Sequence, residues 1–440
     1  MPPASQASGP WDTPLSIAAG SEQGEDTVAF LSLHASPLAR LGQRENGGLS
    51  VYVRAVCEEL GARGIHTDIF VRRTDPDQPE EQAMGPRSRV IAVDAGAPRP
   101  LQKHQLPATR NQYLSRVRQF TRSSQRRYVA LHSHYWLSAD VGAALAAELG
   151  LPWLHTAHTL AAVKGEFGFN GDGPERLLAE RRAVAAGAKL VANTHGEAND
   201  LRRHYGARLG QCLVAPPGVD MVRFQPRDAS RLRSRMGLDR TQVVLFAGRL
   251  EPLKGPDTLL DAFALLADRQ GGGHKQLLFV GELSSEGAKV GQRREMLERV
   301  EALGLTGRVS FLGAQPQERL ALLYCLADVV VMPSHTESFG LVALEAQACG
   351  TPVVGAAVGG LRDVIADGQT GYLVEGRDPK AYSDAIARVL QASADDKQAM
   401  RESARRRALR FSWERTVDLL LPEYGLSPAL AEMAGREACS

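Results

Sequence analysis

The sequence predicts an α/β protein of two domains, each built on a parallel sheet. The chain of 440 residues is longer than one ordinary core requires, so two domains of about 200 residues are the natural expectation. Apolar runs of strand length alternate with helix-length segments along most of the chain. This alternation stops at Pro216–Gly218, because two prolines and a glycine continue neither kind of element. We therefore expect a first domain at residues 27–215 and a second at residues 216–411.

The individual elements follow this division. Strands of the first sheet are predicted at Val28–Leu33, His66–Val71, Val90–Val93, Val129–His132, Trp153–Thr156, Leu190–Asn193 and Cys212–Ala215, with helices at Val51–Gly61 and Ala139–Leu149. Strands of the second sheet are predicted at Val243–Ala247, Gln276–Val280, Val309–Leu312, Asp328–Met332, Pro352–Gly355 and Gly371–Val374. A last helical stretch runs from Trp413 to Tyr424.

The composition argues against several classes of protein. The formal net charge is +2 and no basic stripe is present, so we expect no nucleic-acid partner. Five scattered cysteines suggest reduced thiols in a cytoplasmic protein rather than a disulfide framework or a zinc site. No apolar run approaches the roughly 18 residues of a membrane span. Residues 1–26, rich in Pro, Gly and Ser, are expected to be a disordered extension, and residues 431–440 a tail.

The segment from His335 to Tyr372 is the most informative part of the chain. An apolar run, Val329–Pro333, is typical of a buried strand, and a loop leads from it into a helix at Leu341–Cys349. Glu337 precedes that helix and Glu345 lies eight residues later. At about 100° per residue, the two carboxylates differ by roughly 80° around the helix axis and can face one cleft.

The loop between this strand and helix suits a pyrophosphate. Backbone N–H groups of Ser338–Gly340 would lie at a helix N-terminus, where unpaired donors and the helix dipole favour an anion. An isolated pair of glutamates at this spacing is more often part of a capped core helix. A second feature changes that balance: Arg249 and Lys254 follow the strand Val243–Ala247, in a loop above a carboxyl end of the sheet, where such sheets bind ligands.

Three motifs resemble the retaining glycosyltransferases of the GT-B fold. They are GRL-x-P-x-KG at residues 248–255, PS-x-x-ESFGLV-x-LEA-x-A-x-G-x-PVV at 333–354, and GG-L-x-D-V-x-x-DG-x-TGYLV at 359–374. The resemblance implies two Rossmann-like domains with a cleft between them. It also implies that the first domain binds the acceptor, that the second binds the nucleotide sugar, and that a C-terminal helix at 412–430 crosses back onto the first.

The resemblance also implies a role for each residue of the donor site. Arg249 and Lys254 would stabilise the departing diphosphate, Glu345 would bind the ribose, Glu337 the transferred sugar, and His158 would lie near the reacting centre. A UDP-sugar is the implied donor, and neither a metal ion nor a cofactor is expected to be required. The catalytic candidates are His158, Arg249, Lys254 and Glu337, and the donor-binding candidates are Gly47, Gly48, Arg249, Lys254, Glu337, Ser338, Phe339, Gly340, Leu341 and Glu345.

Within this class, most of the chain resembles the D-inositol-3-phosphate glycosyltransferases of mycothiol biosynthesis, most closely in LHSHYWLSADVG and LPWLHTAHTLAAVK. The resemblance implies transfer of N-acetylglucosamine to 1D-myo-inositol 3-phosphate. The matching acceptor-phosphate residues are Lys103, Tyr135, Thr159 and Arg176, and a phosphate favours such a set of cations and hydroxyl donors. Ser50 stands where the family has an asparagine at an acceptor contact, and serine offers a shorter reach with fewer donors.

Several alternatives stay open at this point. Sucrose-phosphate synthases share the HSHYW-like loop and also take a phosphorylated acceptor, and glucose is the other candidate for the donor sugar.

Two histidine-rich loops, 132–136 and 155–159, could suggest a metal, but no carboxylate lies at a ligand spacing. The D-x-D of Asp75 and Asp77 lies in a polar loop before a linker-like Gln/Glu stretch. A sugar-binding module would not need the cationic loop, and an epimerase would not need the acceptor set. Similar enzymes are commonly homodimers, although no stripe identifies an interface.

Overall fold

A computed structural model describes residues 25–39, 47–169, 173–269, 273–282 and 289–426. Almost all of the predicted N-terminal extension and the whole predicted C-terminal tail lie outside these residues. Two open α/β units, each on its own sheet, make up the described part of the chain, which confirms the predicted fold class. Among the helices described, none is long and apolar enough to cross a membrane.

The first unit is an eight-stranded sheet within the described residues. Its strands are β1 (Asp26–Ser32), β2 (His66–Arg72), β3 (Glu81–Gly85), β4 (Ser88–Val93), β5 (Arg127–His134), β6 (Trp153–Thr156), β7 (Lys189–Ala192) and β8 (Cys212–Val214). Its helices are α1 (Gly48–Ala62), α2 (Arg110–Ser123), α3 (Trp136–Leu149), α4 (Ala161–Glu166), α5 (Gly173–Ala185) and α6 (His195–Tyr205). The strand order is β3-β4-β2-β1-β5-β6-β7-β8. Ala29 and Leu31 of β1 join one hydrophobic cluster, and Val28 and Phe30 join another on the opposite face.

One strand of this sheet was not predicted. Strand β3 pairs antiparallel with β4, with Gln82 opposite Val90, whereas the other neighbours in the sheet are parallel. The prediction that the Gln/Glu stretch is linker-like is therefore wrong for residues 81–85, which form a strand. The reason is that β3 is an exposed edge strand, where polar side chains are favoured and no apolar run marks the strand.

The second unit has six parallel strands within the described residues, and each predicted strand overlaps an observed one. They are β9 (Thr241–Ala247), β10 (His274–Val280), β11 (Val309–Phe311), β12 (Val329–Met332), β13 (Val353–Ala356) and β14 (Gly371–Val374), in the order β11-β10-β9-β12-β13-β14. The helices are α7 (Ser230–Arg235), α8 (Pro256–Ala267), α9 (Lys289–Ala302), α10 (Gln317–Leu326), α11 (Leu341–Ala348), α12 (Leu361–Val364), α13 (Pro379–Gln391) and α14 (Ala394–Ala408).

The chain passes between the two units twice, at adjacent positions. The Val219 N–H donates to the Phe411 carbonyl at 3.2 Å, which joins the outgoing and returning segments. Gly218 has no space for a side chain, since an added Cβ would lie 2.1 Å from the backbone nitrogen of Trp413. The predicted break at Pro216–Gly218 is thus packed directly against the returning chain.

The returning chain ends on the first unit. Helix α15 (Trp413–Leu420) packs against α1, and the 3-10 turn Leu421–Tyr424 follows it. Tyr424 is buried in the first unit, where its hydroxyl lies 2.6 Å from Nδ1 of His132 on β5. This confirms that a C-terminal helix crosses back onto the first unit, with the α-helix ending at Leu420 and the 3-10 turn at Tyr424; residues 427–430 of the predicted helix lie outside the described part.

Both sheets reverse their strand order at one point. Strand β1 lies between β2 and β5, and β9 lies between β10 and β12. Connections on either side of such a strand run in opposite directions, which leaves a crevice outside the carboxyl ends of the strands. The two crevices face each other, and the loops after β1, β5, β9 and β12 supply the cleft described next.

Candidate active site

A cleft of about 340 Å³ lies between the two units. Fourteen of the predicted site residues line it: Gly47, Gly48, Lys103, Tyr135, His158, Thr159, Arg249, Lys254, Glu337, Ser338, Phe339, Gly340, Leu341 and Glu345. Two predicted residues do not line it, namely Ser50 and Arg176. The volume falls in the range of small-molecule sites, which is about 300–1,000 Å³.

An ion pair crosses the second unit's side of the cleft. Lys254 follows β9, Glu337 follows β12, and the Lys254 ammonium donates to the Glu337 carboxylate at 2.6 Å. The loops can approach because Gly255 adopts a left-handed φ of 69°, and a Cβ there would lie 2.2 Å from the Pro333 carbonyl oxygen. Arg249, in the same loop as Lys254, lies 3.0 Å from Glu251. The two predicted cations are therefore held in fixed positions by carboxylates.

Helix α11 begins at the cleft and carries the second predicted carboxylate. Glu345 is buried, and the Tyr324 hydroxyl donates to it at 3.0 Å. Burial raises the pKa of Glu345 to about 7, since a low-dielectric surrounding disfavours the charged form. Glu337 and Glu345 face the same cleft, as their spacing indicated.

Two helix N-termini converge in this cleft. Helix α1 begins at Gly48 and α11 at Leu341, and an added Cβ on Gly48 would lie 3.3 Å from Leu341 Cδ1. The loop before α11 is fixed from behind, because a Cβ on Gly360 would lie 2.3 Å from Phe339 Cα. The first N–H groups of a helix have no intrahelical acceptor, so the two starts together offer donors to an anion.

The acceptor-side residues form one connected group. Lys103 Nζ lies 5.5 Å from the centre of the Tyr135 ring, and the Arg176 guanidinium carbon lies 4.9 Å from the same centre. Arg176 also donates to the Tyr135 hydroxyl at 3.2 Å and to the Thr159 hydroxyl at 2.8 Å. Lys103, Tyr135 and Thr159 face the cleft.

Arg176 lies beneath this group rather than at the cleft surface. Its side chain is fully buried and donates to the Glu180 carboxylate at 2.7 Å. The Tyr205 hydroxyl also donates to Glu180. In the described conformation Arg176 therefore acts on the cleft through Tyr135 and Thr159, both of which it binds.

Two residues of the first unit have left-handed backbones. Tyr135 has φ of 66° and His158 has φ of 60°, and they are the positive-φ residues other than glycine in the described part of the chain. They lie at the carboxyl ends of the adjacent strands β5 and β6, and the Tyr135 N–H donates to the Thr156 carbonyl at 3.0 Å. Strained residues of this kind cluster at functional sites. Here both side chains line the cleft.

Ser50 lies on the first turn of α1, just behind the cleft surface. Its side chain is buried, and among the described residues its hydroxyl has no hydrogen-bond partner. A buried hydroxyl without a partner is rare, because losing water costs free energy that only a hydrogen bond offsets. Its neighbours Leu49 and Val51 line the cleft, but Ser50 itself is not part of the cleft wall.

Several cleft residues were not predicted. Those with a charge, an imidazole or an amide in the side chain are His34, Lys164, Asn193, Gln315 and Gln317. His34, Asn193 and Gln315 follow β1, β7 and β11, so the position of loops at strand carboxyl ends was a signal that could have identified them. Lys164 is in helix α4, inside a passage whose resemblance to the family was already noted.

No group of three or more His, Cys, Asp or Glu side chains in the described part of the chain is arranged to hold a metal ion. The histidine-rich loops instead make hydrogen bonds within the protein, as in the 2.8 Å contact between His132 Nε2 and the Thr156 hydroxyl. Asp75 and Asp77 lie in an exposed turn, in which the Asp77 N–H donates to the Asp75 carboxylate at 3.0 Å. They do not line the cleft.

The two facing sheets and their charged cleft define a glycosyltransferase of the GT-B fold. Residues 47–218 match the family model described as a glycosyl transferase 4-like domain. Residues 230–407 match the family model described as glycosyl transferases group 1.

Curated relatives identify the family within this class. The D-inositol 3-phosphate glycosyltransferase of Geodermatophilus obscurus is 46% identical over 414 residues, which cover 92% of this chain and 90% of that protein. The protein of the same name from Acidothermus cellulolyticus is 41% identical over 430 residues, covering 95% and 94%. The chain belongs to the family of these D-inositol 3-phosphate glycosyltransferases.

Solved structures share the architecture. Sucrose-phosphate synthase from Thermosynechococcus elongatus has a TM-score of 0.80 at 31% identity, and the match covers 94% of this chain and 98% of that one. Anabaena HepE in complex with UDP-glucose has a TM-score of 0.68 at 21% identity, covering 93% and 99%, which is a similarity of fold.

Proposed function

We propose that this protein transfers N-acetylglucosamine from its UDP-sugar to 1D-myo-inositol 3-phosphate, with retention of the anomeric configuration. In this proposal the first unit binds the acceptor and the second binds the nucleotide sugar. The acceptor is the one that the names of the curated relatives give, and those relatives match this chain over nearly its whole length.

The observation that carries the proposal is the acceptor group at the cleft. Lys103 offers a cation, and the hydroxyls of Tyr135 and Thr159 offer donors, all at one wall of the cleft. A phosphate monoester is bound best by charge-assisted and hydroxyl hydrogen bonds in a fixed pocket. Arg176, paired with Glu180, supports this wall by binding both hydroxyls from below.

The opposite wall suits the departing nucleotide. In a retaining transfer through a same-face attack, negative charge builds on the pyrophosphate as the sugar leaves. Arg249, Lys254 and the N-terminus of α11 line the cleft together with Gly47 and Gly48 at the start of α1, which supports binding of the pyrophosphate among them. Each fixed donor of this kind contributes roughly 3 kcal/mol to stabilising such charge. The departing phosphate can accept the acceptor's proton, so we assign no protein base.

Glu345 and Glu337 complete the donor side. Glu345, on α11, would accept hydrogen bonds from the ribose, and Glu337 from hydroxyls of the sugar. The ion pair between Lys254 and Glu337 couples diphosphate binding to sugar binding. One contact holds both the cation proposed to bind the diphosphate and the carboxylate proposed to bind the sugar hydroxyls. His158 would contact the sugar beside the reacting carbon.

The test is release of UDP from UDP-N-acetylglucosamine with 1D-myo-inositol 3-phosphate as acceptor. Unphosphorylated inositol is the matched control, since only the phosphate differs. We expect turnover with the phosphorylated acceptor and little without the phosphate. Lys103→Met should raise the KM for the acceptor and leave the affinity for UDP unchanged. Equal rates with both inositols would contradict the assignment of the acceptor wall.

A second candidate is a transferase like sucrose-phosphate synthase, acting on another sugar phosphate. It is supported by the 31% identity and TM-score of 0.80 to the Thermosynechococcus elongatus enzyme, and by Ser50 at the position of the family's asparagine. The same assay distinguishes the two candidates when fructose 6-phosphate is offered as acceptor and UDP-glucose as donor. Turnover with fructose 6-phosphate alone would favour this second candidate.

A further inference from the structure

Two histidines of the first unit are joined ring to ring behind the cleft. Nδ1 of His134, the last residue of β5, lies 3.0 Å from Nε2 of His158, which follows β6. His158 lines the cleft, whereas His134 is fully buried and does not. His134 therefore acts on a ligand through the cleft residues that it contacts, of which His158 is hydrogen-bonded to it and Tyr52 lies with its ring 5.9 Å away.

The partners of the four ring nitrogens indicate where the protons lie. Burial lowers the pKa of both imidazoles well below the usual range, so each ring is neutral and carries one N–H. Of the nitrogens in the contact, one must donate and the other accept. Among the described residues, Nε2 of His134 has no hydrogen-bond partner and is buried.

This unpartnered nitrogen decides between the two arrangements. A proton on Nε2 of His134 would leave an N–H donor buried without an acceptor, which is the rarer and costlier defect. A proton on Nδ1 of His134 instead donates to Nε2 of His158 and leaves only a lone pair unfilled. His158 then carries its own proton on Nδ1, the nitrogen not engaged by His134.

We infer that His134 is a positioning residue that fixes His158 as its Nδ1–H tautomer, so that His158 offers a hydrogen-bond donor to the cleft. This inference rests on the proposed function, in which His158 contacts the transferred sugar. The group that His158 recognises is then an oxygen that accepts a hydrogen bond, such as a hydroxyl of the transferred sugar or an oxygen of the departing phosphate.

The surroundings of the two rings hold this arrangement rigidly. The ring of His134 stacks on Phe30 at 5.4 Å with planes 9° apart, and it lies 4.2 Å from the ring of His132. The ring of Tyr52 meets His158 edge-on at 5.3 Å. His158 has a left-handed backbone, with φ of 60°, which is a strained conformation, and its ring centre lies 5.2 Å from that of His134. A donor fixed in this way needs no reorganisation during the reaction.

The experiment compares two substitutions of His134. His134→Phe keeps a ring of similar size but removes the donor, and His134→Asn keeps a donor close to the position of Nδ1. We expect kcat of His134→Phe to fall roughly 10- to 100-fold, because misdirecting one donor misaligns the reacting groups. We expect the KM for the acceptor to stay within about twofold, and His134→Asn to recover most of the lost rate.

A matched control separates positioning from folding. His155 is also a buried imidazole, bonded to the Ser133 hydroxyl at 2.9 Å, and does not line the cleft. We expect His155→Phe to lower thermal stability as much as His134→Phe does, with a much smaller loss of kcat. Equal losses of kcat in both variants, or no recovery in His134→Asn, would overturn the inference.

A direct reading of the tautomer tests the inference without turnover. Long-range proton–nitrogen correlation spectra of protein labelled with ¹⁵N-histidine report which ring nitrogen carries the proton, and His158→Gln assigns the signal. We expect Nδ1–H for His158 in the unaltered protein and a mixture in His134→Phe. Nε2–H in the unaltered protein would overturn the inference. Failure of every nucleotide sugar to turn over would overturn the proposed function instead, and the spectra would still decide the tautomer.

Discussion

Substituting Lys254 by alanine probes the donor wall of the cleft most directly. The Lys254 ammonium lies 2.6 Å from the Glu337 carboxylate, and the two side chains are 23% and 15% exposed. Alanine removes a fixed cation from the position expected for the pyrophosphate. Loss of one such donor costs about 3–4 kcal/mol of transition-state stabilisation, or roughly 10²–10³ in kcat. Glu337 loses its partner as well, but because water still reaches its carboxylate we expect only about 1–2 kcal/mol of lost stability.

The assay measures the rate of UDP release and the thermal unfolding of each variant. Lys380→Ala is the matched control, since Lys380 forms an exposed pair with Asp384 at 2.9 Å in the same unit and neither residue lines the cleft. That pair is worth about 0.3–0.5 kcal/mol, so neither rate nor stability should change noticeably. A rate for Lys254→Ala within about threefold of the unaltered protein, with the fold intact, would refute the leaving-group role.

Three further predictions follow from buried groups. Burial raises the pKa of Glu345 from its ordinary value of 4.5 to about 7. The stability that the neutral carboxyl contributes to the fold is therefore lost as the pH rises between these two values. Below pH 7 the neutral form prevails in the folded protein. A ribose that needs the carboxylate should bind several-fold more weakly near pH 6 than near pH 8, and calorimetry with UDP should show this dependence lost in Glu345→Gln. Arg176→Met leaves the Glu180 carboxylate buried without its cation and should cost about 3–5 kcal/mol in denaturant unfolding, part of which Glu180→Gln restores. Tyr424→Phe removes the 2.6 Å contact with His132 and should cost about 1 kcal/mol in the same measurement; an unchanged midpoint would contradict a stabilising role for this hydrogen bond.

The parallel strands of both units could be predicted from the sequence, because a parallel strand buried on both faces is a continuous apolar run. Strand β12, Val329–Met332, consists of four buried apolar residues, and the short length of this run and the residues beside it favoured a strand over a helix. Strand β3 could not be read in this way. Its residues face solvent at the sheet edge, so the pairing with β4, rather than its own side chains, makes it a strand.

The candidate site divides along a similar line. The loops that carry Lys254 and Glu337 were predictable, since both follow strands at the carboxyl edge of one sheet. Their 2.6 Å ion pair was not, because it joins loops 83 residues apart and depends on the close approach at Gly255. Motif spacing within one loop is written in the sequence, whereas contacts between loops depend on strand order.

Depth from the surface was the property that the sequence concealed most completely. Arg176 and His134 both stand directly behind cleft residues, the first bonded to Tyr135 and Thr159 and the second to His158. The sequence around Arg176 on α5 does not indicate whether the arginine faces the cleft or lies behind the residues that face it. The difference is physical: a residue at the surface acts on a ligand by its own charge, but a buried one acts by fixing the hydroxyl or proton that its neighbour presents. Substitutions at the two depths should therefore act in different ways. At the surface, replacing Lys103 or Lys254 removes a charge that acts on the bound substrate or on the leaving group itself. Beneath the surface, replacing Arg176 or His134 acts through the neighbours that each one binds, or through stability.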